Sequence, residues 1–403
     1  MGWPVVALDA GGSSLRASVG SCDAPLELAN HVAFATSAPN TTLLGRELLA
    51  RERRDGSAKL RYVRPVERSS VTLASADSVC VCAYVRAAAD AQMLAVNPRE
   101  HALVATAPMF APTVLNETMD QVMFEELGFQ AFARVTAPEM CVLSYAAFCR
   151  QQRALSPVTK KRRRADAVAA ADPLAFASSS CQLVVDSGYS FTHVVPVVDG
   201  RVLARGVKRV NVGGKLLTNY LKEIVSFRQF NVLDDARVVN AAKETLCYCA
   251  LDFAAELPAL HRGPRRDRAR WVLPDYVHSF DGRLQEASDR DDDTTGGNDD
   301  EQALELGGER IAVPEVLFHP SDIGLDQAGV AEAIHQAVAA CPAALHGALY
   351  ANVLLVGGNT KLPHFRARLE RDLRPLVPDE LELALHAPPE YVSVLGGWWM
   401  DGG

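Results

Sequence analysis

Along the chain, short runs of branched apolar residues alternate with longer stretches in which apolar side chains recur every three to four positions. Val5 to Leu8, Ala102 to Thr106, Leu183 to Val185, His193 to Val198 and Val353 to Val356 read as strands, because such residues fit a pleated, largely buried surface. Asn116 to Glu126, Glu139 to Cys149, Gly214 to Ser226, Asp235 to Cys249 and Val330 to Ala339 read as helices, their apolar positions falling near a 3.6-residue period. Strands and helices in this alternation predict an α/β class.

One pattern occurs twice. Val5 to Ser14 and Leu183 to Ser190 share a plan of an apolar strand ending in Asp-small-Gly, then a polar turn, then a second apolar strand. The repeat predicts two similarly built lobes, each opening with a β-hairpin whose tip carries an aspartate. Two segments interrupt this order. Ser156 to Ser180 carries the basic run Lys160 to Arg164, and Ser288 to Gln302 carries six aspartates and a glutamate around a glycine pair. Such runs bury too little apolar area to offset their ordering entropy, so both read as exposed insertions. The basic run is also a candidate nuclear-import signal.

At 403 residues the chain exceeds one ordinary core, which agrees with two lobes. With 48% hydrophobic and 22% charged residues it is globular in composition, not a disordered tail. No uncharged apolar run of about 18 residues occurs, and the first residues lack a basic leader, so the sequence reads as neither secreted nor membrane-spanning. Nine cysteines show neither a disulfide framework nor a zinc-type CxxC pair, which suits a reducing compartment. Cys80 with Cys82, and Cys247 with Cys249, read as small core residues. A net charge of −8 excludes a nucleic-acid footprint over the whole surface. Local DNA contact through Lys160 to Arg164 or Arg262 to Arg270 stays open.

The repeated tips suggest chemistry. A glycine turn lets backbone N–H groups converge on a phosphate, and two such turns face to face would clamp a polyphosphate. Asp9 and Asp186 would then hold hydrated Mg2+, an ion that needs only one or two carboxylates. A third turn, Gly357-Gly358, follows the strand Val353 to Val356 and precedes a helix, a junction against which a nucleotide can pack.

These residues resemble a known family. Asp9-Ala10-Gly11-Gly12-Ser13 is similar to the first phosphate loop of the actin family, Asp186-Ser187-Gly188 to the second, and Val356-Gly357-Gly358-Asn359 to the adenosine loop, in that order. Met123 to Gln130, Asp186 to His193, Arg209 to Ser226 and Ala312 to Gly324 resemble the nuclear actin-related proteins of that family. The resemblance implies the two-lobed actin-like fold, a duplicated ribonuclease H-like α/β architecture, with ATP or ADP and Mg2+ in the cleft between lobes. It puts the first lobe at 1–146 plus 393–403 and the second at 147–392, with insertions near 156–180 and 288–302. The hinge crossings fall near Ala137 to Tyr145 and Ser393 to Gly397.

Carried over residue by residue, Asp9, Gly11, Gly12 and Ser13 match the first phosphate loop, and Arg16 stands where the family has a phosphate-facing lysine. Asp186, Gly188 and Ser190 match the second loop. Lys243 and Glu244 match the ribose and base contacts, while Gly214, Gly357, Gly358 and Asn359 match the adenosine pocket. Asp9 and Asp186 would reach the metal through water. The departures are as informative. Tyr189 replaces a second-loop aspartate, Val135 to Met140 offers no water-positioning glutamine, and His193 is left without that partner. Lys361-Leu362 replaces a methionine and tyrosine near the base, and Pro388 to Ser393 lacks the lysine that lies over adenine. Family sequences also continue beyond the point matching Gly396-Gly397, so the first lobe is expected to be shortened here, with Trp398 and Trp399 read as packing.

The resemblance thus implies a non-catalytic structural subunit of a nuclear chromatin-remodelling complex that exchanges a variant histone into nucleosomes. The expected partners are other subunits and histones or the nucleosome, with the cytoplasm as a second location and no membrane or filament. The alternatives are a working ATPase or sugar kinase of the same superfamily, and a polymerising actin-like protein.

Overall fold

The computed structural model describes residues 3–19, 26–30, 32–35, 38–43, 60–63, 66–67, 70–71, 96–155, 173–262, 268–275, 281–285 and 301–388, with the single positions 48, 50, 51 and 279. The basic run, most of the acidic segment, Cys80, Cys82, the second hinge crossing and the two final tryptophans lie outside them.

The first hairpin is β1 (Val5–Ala10) and β2 (Ser14–Val19), antiparallel, with β3 (Leu26–Ala29) added to β2. Parallel to β1 runs β4 (Ala102–Ala107), followed by helix α1 (Thr113–Gln121) and then β5 (Ala131–Thr136), which is parallel to β4. The sheet order is β5-β4-β1-β2-β3. Its core gathers Val6, Leu8, Leu15, Leu103, Met123 and Phe129. The helix expected from Asn116 begins earlier, after Pro112, and its last turn, Val122–Glu126, widens to a π-helical turn that buries Val122 and Met123.

Helix α2 (Ala137–Leu155) starts directly at the end of β5 and leaves the first sheet. Its Cys141, Val142, Tyr145 and Cys149 pack with Val184, Val195, Val197 and Leu354 of the second lobe. The apolar contacts of that lobe therefore begin ahead of the expected boundary at 147. Helix α3 (Pro173–Ser178) follows, and here the expected exposed insertion ends early. Phe176 is fully buried and meets Tyr145 edge-on, its ring centroid 4.9 Å away. One large aromatic ring supplies enough apolar area to order a segment whose alanines alone would not.

The second hairpin is β6 (Cys181–Ser187) with β7 (Thr192–Val198), antiparallel, and β8 (Lys208–Val210) is added to β7. Helices α4 (Gly214–Arg228), α5 (Ala236–Leu246) and α6 (Val330–Ala339) precede β9 (Val353–Val356), which is parallel to β6, and β10 (Leu385–His386), parallel to β9. β6 and β9 are continuous apolar runs because a central parallel strand is covered on both faces. On α4, Gly214, Leu217, Thr218, Leu221 and Val225 form the buried stripe. The helix expected from Asp235 to Cys249 stops at Leu246, because the next amides bond elsewhere: Tyr248 N–H to Arg310 and Cys249 N–H to Pro363. Cys247 and Cys249 are both buried, free thiols, as the sequence suggested.

The two sheets follow one scheme. In each, a hairpin gains antiparallel pairing on one side, one strand in the first sheet and two short ones in the second, and two parallel strands on the other. The equivalence holds to the residue: Asp9 pairs with Arg16 and Asp186 with His193, at the same offset in the chain. Among the described residues no helix is long and apolar enough to cross a membrane.

Replacing Phe176 by alanine leaves a large cavity between α2, α3 and the second sheet, and is expected to lower stability by about 3–5 kcal/mol. Urea denaturation measures this, and a loss below about 1 kcal/mol would show that α3 does not belong to the core.

Candidate functional site

The matched hairpins meet at an interlobe cavity of about 740 Å³, lined by every residue the sequence singled out for the nucleotide, from Asp9 to Asn359. Ligands gather at such strand ends because the last side chains and free amides of parallel sheets converge there. From the first lobe come Asp9, Gly11, Gly12, Ser13 and Arg16. From the second come Asp186, Gly188, Ser190, Gly214, Lys243, Glu244, Gly357, Gly358 and Asn359.

Each loop is fixed by its own bonds. In the first, Gly11 N–H donates to Ser14 O, and Asn30 donates from its side-chain amide to Gly12 O at 2.9 Å. In the second, Gly188 N–H donates to Phe191 O, while Asn359 Nδ2 donates to Gly188 O at 2.8 Å and to Ser187 Oγ at 3.1 Å. Asn359 is therefore a brace between the third turn and the second loop. The first amides of α4, those of Gly214 and Lys215, donate to Gly188 O and Tyr189 O, so that helix terminus backs the loop.

Two glycines stand where the loops come close. A Cβ on Gly12 would lie 2.8 Å from Ser190 Oγ across the cleft, which the serine could relieve by rotating its hydroxyl. Gly357, at φ +94°, would place a Cβ 2.3 Å from the backbone carbonyl of Ser187, so this position admits no side chain without moving the second loop.

Asp9 and Asp186 face each other on the cavity wall. Thr106 Oγ1 donates to Asp9 Oδ1 at 2.8 Å and accepts from Ala10 N–H. Burial raises the Asp9 carboxyl above its usual range, against the Thr106 bond and the Arg16 charge. Asp186 is pushed up to about 6 by burial and then by the charge of Asp9. Two buried carboxylates on one cavity wall, one of them raised further by the other's charge, call for a cation beside them. Among the described residues no group of three or more His, Cys, Asp or Glu could hold a metal directly. The pair therefore fits Mg2+ kept in its water shell and shared with phosphate oxygens.

Other residues are placed differently from their expected roles. Lys243 lines the wall, but its ammonium donates to Gly214 O at 3.2 Å, Thr218 Oγ1 at 3.1 Å and Asn240 Oδ1 at 2.9 Å. All three protons are used, so Lys243 ties α4 to α5, while Glu244 Oε1 accepts from Asn240. Arg16 lies beside Asp9, yet its guanidinium reaches Glu27 at 3.0 Å. Burial, and then the charge of Arg209, lowers the His193 imidazole to about 4, so it is neutral at pH 7. Where a water-positioning side chain was sought, Ala137, Pro138 and Cys141 line the cavity, and burial holds the Cys141 thiol well above its ordinary range. Glu139 turns away to accept from Thr136 and from Val202 N–H, joining the start of α2 to the second lobe. Thr106, Asn240 and Glu27 were not legible as site residues, since only the register of neighbouring strands and helices brings them here. Tyr189 lines this cavity and an adjoining one of about 930 Å³.

A duplicated hairpin sheet, two glycine loops face to face and paired strand-end aspartates define a two-lobed α/β fold with a cleft between its lobes. The family model described as Actin matches residues 3–403, and the chain belongs to the actin family. It is similar to Actin-related protein 6 of Oryza sativa subsp. japonica, 33% identical over 420 residues that span 98% of this chain and 90% of that protein. Actin-related protein 6 of Drosophila melanogaster is 33% identical over 391 residues, spanning 96% and 90%. Actin-like protein ARP6 of Cryptococcus neoformans var. neoformans is 32% identical over 400 residues, spanning 95% and 75%.

The raised Asp186 has a pH signature. Its folded form keeps a proton up to about pH 6, whereas the unfolded carboxyl releases it near 3.8. Its contribution to ligand-free stability is thus present below about pH 4 and lost as pH rises to about 6. Asp186→Asn is expected to flatten that slope in thermal melts, and an unchanged slope would contradict the placement of this carboxyl.

Proposed function

We propose that this actin-related protein is a non-hydrolysing structural subunit of a nuclear chromatin-remodelling complex that exchanges a variant histone, with a magnesium nucleotide bridging its lobes. One observation carries the non-catalytic part: the loops that clamp phosphate are intact, while the positions that would orient an attacking water present Ala137, Pro138 and a protonated Cys141. His193 is neutral and lies edge-on to Phe191, 5.9 Å between ring centroids, which supports packing over proton transfer. Tyr189 removes a carboxylate from the second loop. The bound magnesium nucleotide supplies charge that offsets Asp9 and Asp186 and stabilises the closed lobes by mass action.

The assembly part is supported by the segments that resemble nuclear actin-related proteins and by relatives named Actin-related protein 6. In this reading the partners are other subunits with histones or the nucleosome, and the location is the nucleus. Affinity purification of the tagged chain from nuclear extract is expected to recover a large remodelling ATPase with histones, and nucleotide released on denaturation. Recovery of the chain alone, with multiple turnovers of ATP that Asp9→Asn abolishes, would favour the ATPase reading instead. In a sedimentation assay with ATP and Mg2+ the protein is expected to stay in the supernatant, and pelleting would support a filament.

A further inference from the structure

The sheet register sets three charged side chains in a row at one end of the cleft. Asp9 pairs with Arg16 across β1 and β2, and Arg16 with Glu27 across β2 and β3. Residues directly opposite on adjacent strands project from the same face, and all three line the cavity beside the first glycine loop. Arg16 donates to Glu27 Oε1 at 3.0 Å. Burial opposes ionisation of Glu27, but bonds from Ser14 and Arg16 and the charges of Arg16 and Lys361 outweigh it and hold its carboxyl below the usual range. Lys361 belongs to the second lobe and lines the same cavity, so Glu27 is an anion seen from both lobes.

Arg16 is a first-lobe cation on this cavity, and a guanidinium can bind phosphate oxygens through two parallel N–H donors. Here one arm of that fork, Nη2, donates to Glu27 Oε1 instead, and the wall formed by Asp9, Arg16, Glu27 and Asp186, with Lys361 facing Glu27 from the second lobe, carries three acids to two bases. Each added phosphate brings further negative charge toward that wall. In a partly exposed site one such like-charge contact costs a factor on the order of tenfold in affinity.

We infer that Glu27 sets the phosphate count: by engaging Arg16 and adding its own charge, it makes the cleft a site for a magnesium nucleoside diphosphate in preference to a triphosphate. The inference rests on the reading of the cleft as a nucleotide site.

Calorimetric titration of the full chain with magnesium ADP and with the imido analogue of magnesium ATP tests it. The diphosphate is expected to bind about tenfold more tightly, and Glu27→Gln to tighten triphosphate binding about tenfold while leaving the diphosphate nearly unchanged. Adding Arg16→Gln to that variant is expected to remove the gain. The Glu27 side chain is 53% exposed, so the substitution leaves the core untouched, and a melting curve confirms it. Equal affinities in the unaltered chain, or the same ratio in Glu27→Gln, would overturn the inference alone. If the unaltered chain binds neither nucleotide, the nucleotide reading of the cleft fails and the inference with it.

Discussion

Two aspartates at matching strand ends, Asp9 and Asp186, line the cleft from opposite lobes; burial raises both, and the charge of Asp9 raises Asp186 further. The rest of the arrangement follows from that placement. Carboxylates so placed are costly to ionise unless a cation lies between them, and the glycine loops beside them leave room for phosphates to bring one. The loops themselves are rigid: Asn30 holds the first, while Asn359 and the start of α4 hold the second. The two halves of this cavity belong to different lobes, so in the proposed function occupancy of the cleft and closure of the lobes are linked.

Duplication explains the symmetry of the site, and divergence of the copies explains its asymmetry. Arg16 and His193 occupy equivalent places beside the two aspartates. The first pairs with Glu27 on its next strand, and the second has Arg209 opposite it. Arg209 stacks over Phe191 at 4.8 Å and helps keep His193 neutral. Both copies thus hold a charged row, but only the first puts an acid at the end of it. In the same way Lys243, with all three protons committed, has become part of the cavity wall.

Much of the fold was legible because it rests on local rules. Apolar runs marked β6 and β9, the 3.6-residue stripe marked α4, and the repeated Asp-small-Gly marked both hairpins. Where the reading fell short, long-range contacts had decided. The end of α5 is set by partners at Arg310 and Pro363, and the order of α3 by one ring, Phe176, against Tyr145. The site was legible in its glycines and aspartates, which carry motif spacing. Thr106, Asn240 and Glu27 enter it through strand register and helix packing, which no spacing in the sequence reveals. Directions of side chains were hidden for the same reason: Arg16 and Lys243 are where the motif puts them, yet their donors point to protein acceptors.

In the proposed state a magnesium nucleotide joins the two lobes through both phosphate loops at once. Hydrogen exchange on the purified chain, before and after nucleotide is stripped with a magnesium chelator, tests it most directly. The account predicts that amides in 9–14 and in 186–191 lose protection together while the sheet cores around Leu103 and Leu183 keep theirs. Protection unchanged in both loops, or lost in one alone, would contradict it.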